Sequence, residues 1–319
     1  MATTASQSSR PAIVTRPERN LVLVHQPDSQ DLSDFEAIAD IVRTKAPDID
    51  VIIAWNSIAS SVTKRKAARL PSLIFSPLYL RYFVPARGKV YAGLLISKRE
   101  QMERFLRAGL SVPPYWFNGS ASDPLQAGLG SHVLVKPAMI GASNGDGFKL
   151  MPTGAALKAA PSLGDVFLQR FIDTGPYPVS YRVLSIFGRP VSADMKKLAI
   201  ARPSLDAPDE ELANSIFRGY FSSGLTMTLC YEDDVLALAG AAYKAIPEVP
   251  FQACDIIRED KTGVLYVLEV NPGGNTWVFS NASTDWMTQA LGGYDIKQQF
   301  NAFETIADVL IEKTRSEAE

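Results

Sequence analysis

Beyond its first twenty residues the chain alternates short, uninterrupted apolar runs with segments of helical periodicity. Residues 21–25 (LVLVH) and 51–55 (VIIAW) read as buried strands, and between them Phe35, Ile38, Ile41 and Val42 recur at helical spacing. A basic helical stretch over 64–69 leads to a third apolar run, 73–75. Strands alternating with helices predict a small parallel sheet with helices on its faces. No glycine fingerprint follows the first strand, so dinucleotide binding has no support there.

The pattern changes at Ser97. Ser97 and Glu100 fit a reciprocal capping box, Met102, Phe105 and Leu106 form the apolar stripe of a helix, and Gly109 ends it. Strand-like runs follow at 133–136, 166–171, 183–187 and 190–193. A helix is predicted over 233–245, two strands flank Thr262-Gly263, and a last helix carries Ile296, Phe300, Phe303, Ile306 and Leu310. The acidic stretch 206–211 reads as a solvated loop.

Composition narrows the class of function. At 319 residues, with 46% hydrophobic and 21% charged residues, the chain is long enough for about two domains with sizeable cores. A net charge of −2 argues against a protein built to hold nucleic-acid backbone. Two cysteines and two histidines exclude a disulfide scaffold and make a His/Cys zinc site a poor fit. No apolar run approaches a membrane span, and a cytoplasmic setting is expected. The first nineteen residues are rich in Ser and Thr and carry three arginines against one glutamate. They read as a disordered tail, with an organelle transit peptide as the alternative.

Three segments carry candidate chemistry. In residues 251–277, Glu269 and Asn271 are two apart and share one strand face. If the hairpin pairs in even register about Lys261, Asp255 joins them. Two carboxylates and an amide carbonyl make a hard, all-oxygen set suited to Mg²⁺. Acids on an exposed hairpin are the plainer alternative, but Asp255 and Glu269 interrupt apolar strands where a lone charge is costly. In residues 132–148, a buried strand delivers Lys136 and is followed by a loop with Gly141, Ser143, Gly145 and Gly147. Such a loop lets backbone N–H groups approach a phosphate closely, although it also suits a plain structural turn, and it is not a P-loop. In residues 166–197, Gln169 precedes Gly175-Pro176, while Arg182 and Lys196-Lys197 lie at the ends of a hairpin. Those cations are either solvated or gathered for an anion. Cys254, next to Asp255, is expected to point into the core from the opposite face.

Taken in order, these segments resemble the ATP-grasp superfamily of carboxylate–amine ligases, and the resemblance runs from about Ser97 to Trp277. It rests on Lys98, on the Lys136-Pro137…Gly141…Ser143…Gly145 block, on Gln169-Arg170-Phe171-Ile172, on the hairpin carrying Arg182, and on Asp255 with Glu269-Val270-Asn271-Pro272. The relatives it suggests are glutathione synthetases, ribosomal-protein glutamate ligases and D-alanine–D-alanine ligases. The resemblance implies an α/β fold with α+β lobes, namely an ATP-grasp fold behind a parallel-sheet pre-ATP-grasp domain. The implied boundaries are a tail over 1–19, an N-terminal domain over 20–96, a central lobe over 97–175 and a metal-bearing lobe over 176–319. Lys98, Lys136, Gly141, Ser143 and Gly145 fall where that family binds ATP phosphates, and Gln169, Arg170 and Ile172 fall at its adenine hinge. Asp255, Glu269 and Asn271 match its Mg²⁺ ligands, with two ions expected and Mn²⁺ as a substitute. Arg182, Lys196 and Arg218 match cations near the transferred phosphate and the substrates.

The implied reaction joins a carboxylate to an amine through an acyl phosphate, releasing ADP and phosphate. A kinase, an acid–thiol ligase and a non-catalytic ATP-binding module share the same nucleotide half and are the alternatives. The expected partners are a carboxylate and an amine, as amino acids or peptides, with no nucleic acid or membrane; a homodimer is possible. Two departures stand out. Ala253 replaces the arginine that D-alanine–D-alanine ligases carry two residues before the first metal carboxylate. The loop after Asn271 also differs, reading Pro-Gly-Gly-Asn-Thr-Trp.

Overall fold

The computed structural model describes residues 16–56, 61–120, 123, 127–138, 148–214, 224–271, 273 and 276–319. The first apolar runs form one parallel sheet: β1 (Arg19–His25), β2 (Ile49–Trp55), β3 (Ser72–Phe75) and the short β4 (Lys89–Tyr91), in the order β2-β1-β3-β4. The first crossover is α1 (Leu32–Lys45) and the second contains α2 (Ser61–Ala67). Both faces of β1 are covered, which is why it reads as a continuous apolar run. Leu21 and Leu23 pack toward Phe35 and Ile38 of α1, while Val22 and Val24 pack with Ala67 of α2 and Phe83.

Next comes α3 (Lys98–Arg107), followed by an antiparallel sheet of β5 (Tyr115–Phe117), β6 (His132–Pro137), β7 (Lys149–Pro152) and β8 (Val166–Arg170), ordered β5-β8-β6-β7. Ala156 of α4 (Thr153–Ala159) closes its small core with Val133, Val135 and Leu168. The second antiparallel sheet is made of β9 (Val179–Ile186), β10 (Arg189–Leu198), β11 (Leu225–Leu229), β12 (Phe251–Arg258) and β13 (Leu265–Asn271), ordered β11-β10-β9-β12-β13. The chain also forms α5 (Asp209–Asn214), α6 (Asp233–Ala245), α7 (Thr284–Ala290) and α8 (Ala302–Glu317). One face of the five-stranded sheet packs on α3 and α6, joining Val183, Cys254 and Val270 to Met102, Phe105, Val235 and Ala239. At one end of the opposite face, Leu184, Ile186, Phe251 and Ala253 share a core with α1, α8 and the parallel sheet.

The structure departs from the sequence pattern at three places. The last helix does not begin at Ile296. Residues Ile296–Asn301 form a 3-10 turn, Phe300 and Asn301 take left-handed φ values of 55° and 47°, and α8 starts at Ala302. The break turns the Gln299 side chain inward, where it accepts from the Ala193 N–H and donates to the Ala193 and Cys230 carbonyls. The acidic segment 206–211 is exposed as expected, but Asp209 opens α5, whose Leu212 is buried. The capping box of α3 is half formed. Ser97 accepts from the Glu100 N–H, whereas the Glu100 carboxylate pairs with Arg104 instead of reaching back.

Candidate active site

A single transverse row of charges crosses the five-stranded sheet. Asp255 on β12 lies directly opposite Glu269 on β13 and opposite Arg182 on β9, and Arg182 lies opposite Asp194 on β10. The side-chain period of two puts Val183, Ala193, Cys254 and Val270 on the other face, in the core. Burial there pushes the Cys254 thiol well above its ordinary range, so it is an inert core group. The hairpin is not centred on Lys261: a bulge after Asp255 shifts the register. Parity is kept, and Asp255, Glu269 and Asn271 share one face.

Arg182 grips Asp255 with both arms, Nε to Oδ1 at 2.6 Å and Nη2 to Oδ2 at 2.8 Å, while the Asn271 amide donates to Oδ2 at 3.0 Å. Burial alone would raise the Asp255 carboxyl. The charge and hydrogen bonds of Arg182, with Lys196 and Asn271, outweigh it and hold the group below the usual carboxylate range. Lys196 is buried and stands 2.6 Å from Asp194, itself 1% exposed. Asp194 is the member of this row that sequence reasoning missed. Its signal was available, because it lies two residues before Lys196 in one strand and so must share its face.

The two lysines come from other elements and meet the row from the side of the four-stranded sheet. Lys98, the first residue of α3, brings its Nζ to 3.6 Å from a Glu269 oxygen. Lys136, at the end of β6, donates to Gln169 Oε1 at 2.6 Å. Both ammonium groups lie 5.1 Å from the centroid of the Phe148 ring and also stand over Phe167, so they share one aromatic-walled recess. Burial lowers the Lys136 ammonium to about 8, helped by Lys98 and opposed by Glu269 and Asp255. Phe148 and Phe167 were not singled out by the motifs, although Phe167 pairs directly with Lys136 across the strands.

Beside this recess the two antiparallel sheets enclose an apolar slot of about 130 Å³, lined by Leu134 and Leu150 on one side and Ile257 and Leu268 on the other, with 169–172 at its edge. The Arg170 side chain turns to Glu259 and its N–H to the Pro114 carbonyl, while Ile172 is buried. Gln169 is fully buried; its carbonyl is taken by Lys136, and its Nε2 has no partner among the described residues. In that orientation the amide presents N–H donors. Gly141, Ser143, Gly145 and Arg218 lie outside the described residues.

Among the described residues no group of three or more His, Cys, Asp or Glu side chains could hold a metal. The candidate donor set is therefore two carboxylates plus an amide. Asn271 turns its Nδ2 to Asp255, which leaves its carbonyl as the atom able to ligate. Few protein ligands, all of them oxygen, fit Mg²⁺, which completes its shell with phosphate and water.

No protein-family model matches the sequence, and no curated protein does. Solved structures are similar across nearly the whole chain. An ATP-grasp ligase, PsnB, complexed with minimal precursor, Mg and ADP, aligns at a TM-score of 0.52 and 15% identity, over 92% of this chain and 97% of that one. The macrocyclase MdnC from Microcystis aeruginosa MRC, bound with precursor peptide MdnA, aligns at 0.52 and 10% identity, over 92% and 99%. The D-cycloserine synthetase DcsG aligns at 0.50 and 15% identity, over 91% and 99%. The fold is that of the ATP-grasp ligases. In this ATP-grasp fold the slot and the lysine recess lie between the two antiparallel sheets, and the charged row forms the adjoining floor. No helix among the described residues is long and apolar enough to cross a membrane.

Proposed function

We propose that the chain is an ATP- and Mg²⁺-dependent ligase that joins a carboxylate to an amine through an acyl phosphate, releasing ADP and phosphate. One observation carries this reading: Lys98 and Lys136 converge with Asp255, Glu269 and Asn271 where the two antiparallel sheets meet, next to an apolar slot. The solved neighbours support it by fold, and PsnB holds Mg and ADP.

In this reading the adenine base enters the slot, against the 169–172 hinge. Lys98 and Lys136 take the phosphates as positive charges, and the resemblance assigns Gly141, Ser143 and Gly145 to the same phosphates. Asp255, Glu269 and Asn271 hold Mg²⁺, which when bound neutralises developing charge on the phosphate oxygens. Phosphoryl transfer asks the protein mainly for positioning and charge, which the two lysines supply. Arg182 and Lys196 flank Asp255 and provide fixed cationic donors for the acyl phosphate and the tetrahedral oxyanion that the amine creates. The resemblance assigns Arg218 a role beside the substrates. The amine acceptor is either an amino acid or a peptide, and two of the solved neighbours bind precursor peptides. The lobes are those of the resemblance: 20–96, 97–175 and 176–319.

The test is a screen for ADP release over carboxylate and amine pairs, including peptides, with mass spectrometry of the product. ADP release that requires both substrates and Mg²⁺, with an amide product, is expected. Glu269→Gln should abolish it while the melting curve is retained. Turnover unchanged by Glu269→Gln would remove the metal assignment.

A further inference from the structure

The charged row contains one carboxylate that the metal assignment leaves without a task, Asp194. Arg182 stands at the centre of the five-stranded sheet, with Asp255 directly opposite it on β12 and Asp194 directly opposite it on β10. Directly opposed residues have their Cβ atoms about 4.5–5.5 Å apart, so a guanidinium on β9 can reach a carboxylate on either neighbouring strand. The backbone register thus gives Arg182 two seats, one on each side.

The occupied seat is Asp255. Its two oxygens offer roughly four acceptor sites, and the Arg182 fork with the Asn271 amide fills three of them. A divalent cation at Asp255 would meet that guanidinium at ion-pair distance, where like charges repel strongly in a part-buried setting. Arg182 cannot simply be released, because a part-buried guanidinium stripped of its carboxylate is costly. Asp194 supplies the other seat. It is 1% exposed, and Lys196 Nζ stands 2.6 Å from its Oδ1 but off the hydrogen-bonding direction. That oxygen is therefore left without a hydrogen-bond donor among the described residues. A buried carboxylate with acceptor sites to spare is the partner that a displaced guanidinium needs.

We propose that Arg182 and a divalent cation hold Asp255 by turns, the guanidinium passing to Asp194 when the cation binds, so that Asp194 is a positioning residue for metal binding. The exchange rests on the metal assignment of the ligase reading. Metal affinity is then set in part by an acid that does not ligate. In either seat the two-pronged grip on a carboxylate keeps the guanidinium fixed beside the reaction centre, as its role as a donor there requires.

Mn²⁺ alone is the probe, titrated into the intact chain and read from the electron paramagnetic resonance signal of the free ion. Asp194→Asn is expected to weaken Mn²⁺ binding at least about fivefold while Arg182 is present. In the Arg182→Met background, where no guanidinium has to be rehoused, it should weaken binding by less than about twofold. A purely electrostatic effect of Asp194 would be equal in both backgrounds, and that result overturns the exchange. Where Asp194→Asn does not fold, Arg182→Lys decides. One ammonium cannot grip both Asp255 oxygens as the fork does, so Mn²⁺ is expected to bind at least about threefold more tightly, and unchanged or weaker binding overturns the exchange. Glu269→Gln separates this from the ligase reading. Mn²⁺ binding that is lost in Glu269→Gln but shows no coupling between Asp194 and Arg182 sinks the exchange alone. Mn²⁺ binding that ignores Glu269→Gln removes the metal assignment, and the exchange with it.

Discussion

Lys136 shows how one buried side chain ties chemistry to pH. Its ammonium is held near 8, against about 10.4 for a free lysine, because it is buried beside Lys98. The sign follows from that depression. Between about pH 8 and the unfolded value, the unfolded chain binds more protons than the folded one, so folding stability rises with pH through that window. Nucleotide affinity should move the other way, since the neutral amine no longer attracts phosphate. Calorimetric titration of MgATP analogue between pH 7 and 9.5 is expected to show affinity falling above about pH 8, and Lys136→Arg is expected to flatten that fall. Lys136→Met should weaken binding by about tenfold or more at neutral pH. A flat profile in the native protein would mean that Lys136 does not contact phosphate.

The elements explain why so few residues need to be placed by the loops. Lys98 reaches Glu269 because α3 begins at that residue, with Ser97 capping its N-terminus and Met102 and Phe105 anchoring it to the five-stranded sheet. Ser97→Ala should lower unfolding free energy by about 1 kcal/mol, read in urea melts. Periodicity made most of these elements legible beforehand. Continuous runs marked parallel strands, the helix expected at about 233–245 is α6, and alternation placed Glu269 and Asn271 on one face. What stayed hidden depended on partners distant in sequence. The bulge after Asp255 shifts the hairpin, the break before α8 exists because Gln299 binds the backbone of Ala193 and Cys230, and β4 is three residues of little pattern. The rings of Phe148 and Phe167 were equally out of reach of motif spacing, since their meaning lies in the cations they face, whereas the i, i+2 spacing of Asp194 and Lys196 was there to be read.

At the scale of the whole molecule, the parallel sheet and the five-stranded sheet are not independent bodies strung on a linker. Phe35 of α1 stacks on Trp277, just beyond the candidate metal strand, and Trp277 also packs on Phe251 and Phe279. Asp34, buried in the same place, accepts from the Trp277 indole at 2.9 Å and from Lys297 at 2.8 Å. Gly273 approaches so closely that an added Cβ would lie 2.8 Å from the Tyr79 ring. Gly273 and Trp277 are therefore held against Tyr79 and α1, and a cleft lined by His25 and Gln30 opens beside residues 280–282. The proposed function requires that a carboxylate be activated by phosphoryl transfer. The most direct measurement uses the carboxylate that the ADP-release screen identifies, labelled with oxygen-18 in both oxygens and turned over with MgATP and the amine. Acyl-phosphate formation places one labelled oxygen in the inorganic phosphate released per turnover; phosphate free of label, with both labelled oxygens retained in the product, would contradict it.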